Sequence, residues 1–165
     1  MKMIIKIWRL VILLALLQVA GDVQGQEIRK MKITELVAYM DSVQKPLVIN
    51  FWATYCRPCL EEIPHLQNVV AKHASDSVEL LLVSLDMQDD FPEVLAEVVR
   101  KRSITARVAW LDEHDADYFC PKIDSKWSGA LPATLFLNNK KGYRKFSERA
   151  LTLPELEKEL ALLPG

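Results

Sequence analysis

The feature that most constrains the fold of this chain is a short apolar run that leads directly into a cysteine pair and a helical pattern. Residues 47–52 (LVINFW) are almost entirely apolar, which predicts a strand buried on both faces. Cys56 then opens a stretch to about residue 74 in which apolar side chains recur at helical spacing, and Pro64 is expected to kink this helix without ending it. A buried strand followed at once by a helix favours an α/β fold.

The rest of the chain continues the alternation of helices and strands. The other predicted elements are a helix around 33–40, a strand over 78–85, a helix over 92–101, a strand over 107–111, a short helix over 117–123 and a strand over 134–137. The turn at 138–142 predicts a hairpin with a last strand over 143–147, and Thr152 with Glu155 forms a capping box for a final helix. This order implies a parallel core extended by antiparallel strands, with helices on both faces.

The first 25 residues predict an export signal. Three basic residues precede the apolar run 10–17, and small and polar residues follow it. The uninterrupted apolar core is shorter than the roughly 20 residues that a membrane-spanning helix needs. We expect cleavage after Gly25, which leaves one domain over 26–165, and an uncleaved N-terminal anchor is the alternative.

Charge and cysteine content limit the classes of function. The 165 residues carry a formal net charge of −1 with acidic and basic side chains intermixed, so no nucleic-acid-binding face is indicated. The three cysteines, Cys56, Cys59 and Cys120, cannot all be paired within one molecule, which excludes a scaffold of structural disulfides. In an oxidising exported environment, the close pair forms a disulfide unless a partner keeps it reduced.

The position of the cysteine pair at the start of a helix predicts a reactive thiol. The helix N-terminus presents unpaired N–H groups and positive partial charge, which favour a thiolate at Cys56, the predicted nucleophile. Arg57 adds a positive charge, and Pro58 suits the first helical turn because its missing N–H costs little there. Two intervening residues place both sulfurs on one turn, so Cys59 is predicted to resolve a mixed disulfide held on Cys56.

A structural zinc site is the other common use of a Cys-x-x-Cys pair. Such a site needs two more ligands at suitable spacing. His65, His73, His114 and Cys120 are scattered along the chain and form no recognisable ligand pair. We therefore expect no metal, and no cofactor other than the redox-active disulfide Cys56–Cys59.

Two segments of the chain carry motifs that are specific in combination. The first is residues 50–59 (NFWATYCRPC), followed by Glu62 and Pro64, and the second is residues 129–134 (GALPAT). Together they resemble the active-site segment and the cis-proline loop of the thioredoxin superfamily, specifically its exported TlpA/ResA-like branch. The resemblance extends from about residue 28 to the C-terminus and implies a thioredoxin-like fold, in which helices flank a central mixed sheet.

The resemblance also implies how the cis-proline loop works. The Leu131–Pro132 bond should be cis and lie against the cysteine pair. The residue before the proline, Leu131, should then offer backbone hydrogen bonds to a substrate chain.

The same resemblance implies supporting roles around the cysteines. Trp52 and Tyr55 occupy aromatic positions of the motif, with Tyr55 standing where the family usually has tryptophan. Asn50 stands where thioredoxin itself has a buried acid, and an amide cannot accept the proton of Cys59. Glu62, three residues after Cys59, is a candidate replacement, and a solvated or capping carboxylate is the alternative.

Four features outside the motifs carry further hypotheses. Cys120 is expected to be a small buried apolar residue, with a third redox thiol as the alternative. The acidic segment 112–117 lacks the glycine and spacing of a calcium loop, so a solvated loop is predicted. Trp127 is expected to pack in the core, with a place in a partner groove as the alternative. Asp86, at the end of a predicted strand, could face the active site.

The expected function is dithiol–disulfide exchange with cysteines of other exported proteins. The resemblance implies the reducing direction and a membrane-bound thiol electron donor, because TlpA/ResA-like proteins typically keep exported thiols reduced, for example apocytochrome c cysteines before haem attachment. It also implies a location in the bacterial periplasm or at the outer face of the cytoplasmic membrane. We expect a monomer.

Two other functions are weighed against this one. A thiol peroxidase needs a threonine and an arginine that polarise peroxide around its reactive cysteine, and Thr54 and Arg57 are present, but the Cys-x-x-Cys pair does not fit that chemistry. A non-catalytic peptide-binding or chaperone module would use the cis-proline groove. Such a module would need neither Cys56 nor Cys59.

Overall fold

The computed structural model describes residues 26–163, and the predicted signal peptide lies outside them. The strands are β1 Arg29–Met31, β2 Leu47–Trp52, β3 Glu79–Ser84, β4 Arg107–Leu111, β5 Ala133–Asn138 and β6 Tyr143–Ser147. The helices are α1 Ile33–Ser42, α2 Arg57–Lys72, α3 Glu93–Lys101, α4 Ala116–Ile123 and α5 Leu153–Leu162. Within 26–163, no helix has the length and apolar character needed to cross a membrane.

The six strands form one mixed sheet in the order β1-β4-β3-β2-β5-β6. The pairs β1–β4, β4–β3 and β3–β2 are parallel, whereas β5 runs antiparallel to both β2 and β6. The expected parallel core with a C-terminal antiparallel hairpin is therefore confirmed. Because Phe51 pairs with Ala133, the C-terminal end of β2 lies beside the N-terminal end of β5, at the same end of these two inner strands.

Helices cover both faces of this sheet. The core under α2, α3 and α5 includes Val48 and Trp52, whereas the core under α1 and α4 includes Ile49 and Phe51. All six residues of β2 are buried, which explains why its sequence shows an uninterrupted run and no alternation. Each large apolar side chain buried in this way stabilises the fold by about 1.5–3 kcal/mol.

The turns at the C-terminal end form as their side chains predict. In the hairpin, the Asn138 side chain accepts a hydrogen bond from the Lys141 N–H at 3.2 Å, and Gly142 adopts a left-handed φ of 62°. Thr152 and Glu155 form the capping box of α5. α2 continues through Pro64, as predicted.

The strand β1 was not predicted. It has only three residues, two of them basic and exposed, so it shows neither an apolar run nor an alternation. The strand forms at the edge of the sheet by pairing with β4. Lys30 and the following Lys32 add ion pairs with Asp112 at 3.0 and 2.9 Å. β1 is thus specified by its partners and not by its own sequence.

Candidate active site

The cysteine pair lies where the chain leaves β2 and enters α2. Cys56 is the N-cap of α2, and its sulfur accepts a hydrogen bond from the Cys59 N–H at 3.3 Å. The two cysteines are joined in a disulfide with Cα atoms 5.3 Å apart. Cys56 keeps 9% of its surface exposed, whereas Cys59 is fully buried. Cys56 is therefore the less buried of the two cysteines, and Cys59 has no exposed surface.

The two residues between the cysteines begin the helix in different ways. Arg57 and Pro58 occupy the first helical positions, where the missing N–H of proline leaves no helical bond unmade. The Arg57 guanidinium lies in solvent and donates to Glu61 Oε1 at 2.9 Å. Part of its charge is thereby compensated, and solvent screens the rest. The N-terminus of α2 also contributes positive partial charge at Cys56.

A buried carboxylate fixes the loop that precedes Cys56. Asp86, which is 4% exposed, accepts hydrogen bonds from the Thr54 N–H at 2.8 Å and the Thr54 hydroxyl at 2.6 Å. Its other oxygen accepts from the Ser84 hydroxyl at 2.6 Å. The expectation that Asp86 faces the active site is confirmed in this sense, because it holds a residue two positions from the exposed sulfur.

The cis-proline loop lies beside this segment. The Leu131–Pro132 bond is cis, as the resemblance implies; a second cis bond, Phe91–Pro92, was not predicted. Trp127 is 5% exposed and donates from Nε1 to the Ala130 carbonyl at 3.0 Å. The indole ring packs against three phenylalanine rings, those of Phe51, Phe119 and Phe146. The expected core position of Trp127 is confirmed, and it does not line a partner groove.

A groove of about 230 Å³ connects the cysteine segment with the cis-proline loop. Tyr55, which is 68% exposed, and Leu131 both line it. The further residues that line it are Leu85, Asp86, Met87, Glu113, His114, Ala116, Phe119 and Gly129. Cys56 follows Tyr55 directly in the chain, so the groove begins one residue from the disulfide.

A buried polar cluster lies on the other side of the cysteines, beneath α2. Glu62 is 3% exposed and accepts a hydrogen bond from the Leu151 N–H at 2.6 Å through Oε1. Its Oε2 accepts from Asn50 Nδ2 at 3.2 Å, and the same amide group donates to Thr134 Oγ1 at 3.0 Å. Burial raises the pKa of Glu62 above its ordinary value, although the two hydrogen bonds oppose this shift. The alternative of a solvated carboxylate is wrong.

The third cysteine has no access to this chemistry. Cys120 lies in α4 and is 2% exposed. Burial, with the nearby charges of Glu148 and Asp117, raises the pKa of the Cys120 thiol to about 11. A thiol with this pKa is protonated at neutral pH and is a poor nucleophile. The interpretation as a small buried apolar residue is confirmed.

The acidic segment 112–117 is not uniformly solvated. Asp112 is buried, and its hydrogen bonds with Lys32 and Lys30 lower its pKa. Glu113 accepts from the Ile33 N–H at 3.0 Å and so anchors α1. The prediction of a solvated loop is therefore wrong for its first residue. Over residues 26–163, no three His, Cys, Asp or Glu side chains are grouped so that they could hold a metal ion.

Comparison with known proteins places this arrangement in a family. The family described as AhpC/TSA matches residues 18–142. The chain belongs to the AhpC/TSA family. Within 144 residues it is 29% identical to the thiol-disulfide oxidoreductase ResA of Oceanobacillus iheyensis, over 84% of this chain and 67% of that protein. It is 31% identical over 58 residues to the sporulation thiol-disulfide oxidoreductase A of Bacillus subtilis, over 35% of each protein.

Solved structures share the fold of this AhpC/TSA family member. A secreted disulfide oxidoreductase of Mycobacterium tuberculosis superposes with a TM-score of 0.57 and 22% identity, covering 76% of this chain and 86% of that one. StoA of Bacillus subtilis gives 0.54 and 23%, covering 71% and 83%. The thioredoxin-like fold is therefore confirmed. The chain has the family, the fold and the cysteine pair of a thiol-disulfide oxidoreductase.

Some residues of the site could not be found from the sequence. Thr134 and Leu151 contact the Asn50–Glu62 pair but lie 84 and 89 residues away from their partners along the chain. Thr134 ends the 129–134 motif, but that motif does not predict its contact with Asn50, and Leu151 belongs to no motif. Only the pairing of β2 with β5 and the return of the chain before α5 bring them to the site.

Proposed function

We propose that this protein exchanges disulfides with the cysteines of other exported proteins and works as a reductase. The observation that carries the proposal is the position of Cys56. Cys56 is the less buried member of a disulfide at a helix N-terminus, and the preceding residue, Tyr55, lines a groove together with Leu131 of the cis-proline loop. The field of the helix stabilises the thiolate that must attack or leave.

The proposed reaction transfers two electrons to the substrate. In the reduced protein, the Cys56 thiolate attacks one sulfur of a substrate disulfide, and the other substrate sulfur leaves as a thiolate. Cys59 then attacks the Cys56 sulfur of the mixed disulfide, releases the second substrate thiolate and closes the Cys56–Cys59 disulfide. A membrane-bound thiol donor is the proposed source of electrons for the next turnover.

Glu62 is the proposed acceptor for the proton that Cys59 must lose. It lies one turn further along α2 in a buried setting, and its raised pKa makes it a stronger base than an exposed carboxylate. Trp52, Tyr55, Pro58, Leu131 and Pro132 are proposed to shape the surroundings of the sulfurs and the substrate groove. Trp52 is fully buried beneath the cysteines, whereas Tyr55 offers an exposed ring.

The export, the direction and the substrate class rest on the sequence and the relatives. The signal-like N-terminus supports a location in the bacterial periplasm or at the outer face of the cytoplasmic membrane. The resemblance to the TlpA/ResA-like branch supports a reductase, with apocytochrome c cysteines before haem attachment as one substrate class.

A peroxidase is less well supported by the geometry. The two residues that could polarise a peroxide are engaged elsewhere, because Thr54 donates to Asp86 and Arg57 pairs with Glu61 in solvent. A peptide-binding module without chemistry would use the same groove. That function would give the cysteine pair no role.

The deciding experiment is the reduction potential of the pair. Protein comprising residues 26–165 is equilibrated against graded glutathione or dithiothreitol buffers, with Cys120→Ser as a parallel sample. A value near the thioredoxin figure of about −270 mV supports the reductase, and one near the DsbA figure of about −120 mV reverses the direction. If no reversible Cys56–Cys59 disulfide forms, the peptide-binding module takes the place of the oxidoreductase.

A further inference from the structure

A carboxylate beyond the end of β6 binds the backbone of the cis-proline loop. Glu148 follows β6 directly and is half-buried. Its Oε1 accepts hydrogen bonds from the backbone N–H groups of Ser128 at 2.9 Å and Ala130 at 3.0 Å, and from the Ser128 hydroxyl. The bond from the Ser128 hydroxyl, together with the two backbone bonds, lowers the pKa of Glu148. The acceptor is therefore charged, which strengthens all three bonds.

The backbone between the two bonded N–H groups has the conformation that this contact needs. Gly129 lies between Ser128 and Ala130 with a φ of 93°, which glycine adopts without strain. The N–H groups on either side of it converge on one oxygen, as in the concave backbone turns that bind anions. Here the Glu148 carboxylate occupies the position that a bound anion would take in such a turn.

The loop is also held from its other side. The Ala130 carbonyl accepts from Trp127 Nε1 at 3.0 Å, and the indole is fixed in the core. Both backbone polar groups of Ala130 are thus occupied by the protein itself. The next residue, Leu131, precedes the cis bond and lines the same groove as Tyr55.

The segment that carries Glu148 is anchored to two helices. Arg149 pairs with Glu155 of α5 at 2.6 Å. The Leu151 N–H donates to Glu62 of α2 at 2.6 Å. Because its own backbone is held in this way, the Glu148 carboxylate restrains the loop and does not simply move with it.

We propose that Glu148 is a positioning residue for protein substrates, which acts by holding the cis-proline loop so that the backbone of Leu131 faces a substrate chain beside Cys56. This inference rests on the proposed function. A substrate that hydrogen-bonds to an ordered loop loses less conformational entropy on binding than one that must first order it. A small disulfide without peptide groups gains nothing from the loop. Glu148 therefore favours protein disulfides over small ones.

The test compares two substrates on the reduced protein. One is a short peptide with a single intramolecular Cys-x-x-Cys disulfide, and the other is hydroxyethyl disulfide, which has no peptide groups. The ratio of the two second-order rate constants is the readout. We expect Glu148→Ala to lower the peptide-to-small-disulfide ratio about tenfold, equivalent to about 1.4 kcal/mol, the size of one hydrogen bond to a charged group. Glu148→Gln keeps an oxygen acceptor and should give an intermediate ratio.

A matched control separates positioning from general effects of charge. Glu157→Ala removes an exposed carboxylate that pairs with Lys72 on α2 and not with the cis-proline loop. This variant should keep the peptide-to-small-disulfide ratio of the parent protein. An unchanged ratio in Glu148→Ala, which includes equal losses of rate with both substrates, overturns the positioning role. Should that variant fail to fold, the same ratio in Glu148→Gln decides. Parent protein that leaves the peptide disulfide intact overturns the proposed function together with the inference.

Discussion

Cys56 and Cys120 lie in two contrasting environments. Cys56 caps a helix N-terminus at the edge of the sheet and keeps a small exposed surface, whereas Cys120 lies inside α4 and is buried. The first sulfur meets N–H groups and the positive end of a helix. The second meets apolar side chains and the negative charges of Glu148 and Asp117. The first environment favours a thiolate, whereas the second favours a protonated thiol.

This contrast teaches that the placement of a cysteine in the secondary structure matters more than its distance from the site. Cys120 lies close to the cis-proline loop, since its sulfur is 3.8 Å from the point where a side chain on Gly129 would begin. Proximity alone does not give it a role. What it lacks is a helix N-terminus and a path to solvent.

The largest expected effect comes from removing the Cys56 sulfur, and removal of the Cys120 sulfur is the comparison. Cys56→Ser should reduce exchange with a peptide disulfide to the background rate, because serine forms no disulfide. Cys120→Ala should exchange at the parental rate. Stopped-flow measurement of thiol release with both variants makes the comparison. Activity lost in Cys120→Ala would end the interpretation of this residue as inert.

Alkylation of the reduced protein should distinguish the thiols without any substitution. A rise of the Cys120 pKa from 9.0 to about 11 lowers its thiolate fraction near neutral pH about a hundredfold, and burial slows it further. Iodoacetamide at pH 7, followed by mass spectrometry of the peptides, should therefore label Cys56 long before Cys120. Denaturant should remove the difference. Equal labelling of both residues in the native protein would contradict the burial of Cys120.

Glu62 should make the stability of the cysteine region depend on pH. Because its pKa is raised in the folded state, the folded protein holds a proton that the unfolded chain has lost, so stability falls as pH rises through this window. Glu62→Gln should lack this fall and gain stability relative to the parent protein as pH rises above the ordinary glutamate range.

The measurement for Glu62 is the urea unfolding free energy at a series of pH values. Glu61→Gln is the matched control, because Glu61 is the exposed neighbour on the same helix. Its curve should run parallel to that of the parent protein. A Glu62→Gln curve that is also parallel would show that burial of this carboxyl has no energetic consequence.

The smallest expected effect belongs to Arg57. Its guanidinium is solvent-exposed and paired with Glu61, so its influence on the Cys56 thiolate is that of a screened surface charge, about 0.2–1 kcal/mol. Arg57→Ala should slow alkylation of reduced Cys56 by less than about fivefold. A larger loss would mean that the side chain, and not the helix N-terminus, activates the sulfur.

The sequence predicts most of the fold because its elements are strongly patterned. The strands over 107–111 and 143–147 have the predicted bounds. The strand at 47–52 follows from its uninterrupted apolar run, and the helix after it follows from apolar periodicity. β1 escaped prediction because three residues with two lysine or arginine side chains carry no periodicity. Its formation depends on an edge that only the folded sheet provides.

The site was predictable only where chemistry and local structure coincide. The proposed roles of Cys56 and Cys59 follow from their place at the start of a helix. The burial of Glu62 depends on Leu151 and Asn50, which only the fold brings together. Glu148 carries no local signal at all, because its partners on the cis-proline loop lie about twenty residues earlier, across the hairpin.

One feature of the disulfide bears on how the protein survives repeated turnover. The bonded cysteines are three positions apart, within one helical turn. A cross-link between near neighbours closes a very small loop, so it restricts the unfolded chain far less than a bridge between distant segments would. The fold is stabilised mainly by its two apolar cores and only slightly by the disulfide. Opening this bond therefore costs the fold less stability than opening a bridge between distant segments would.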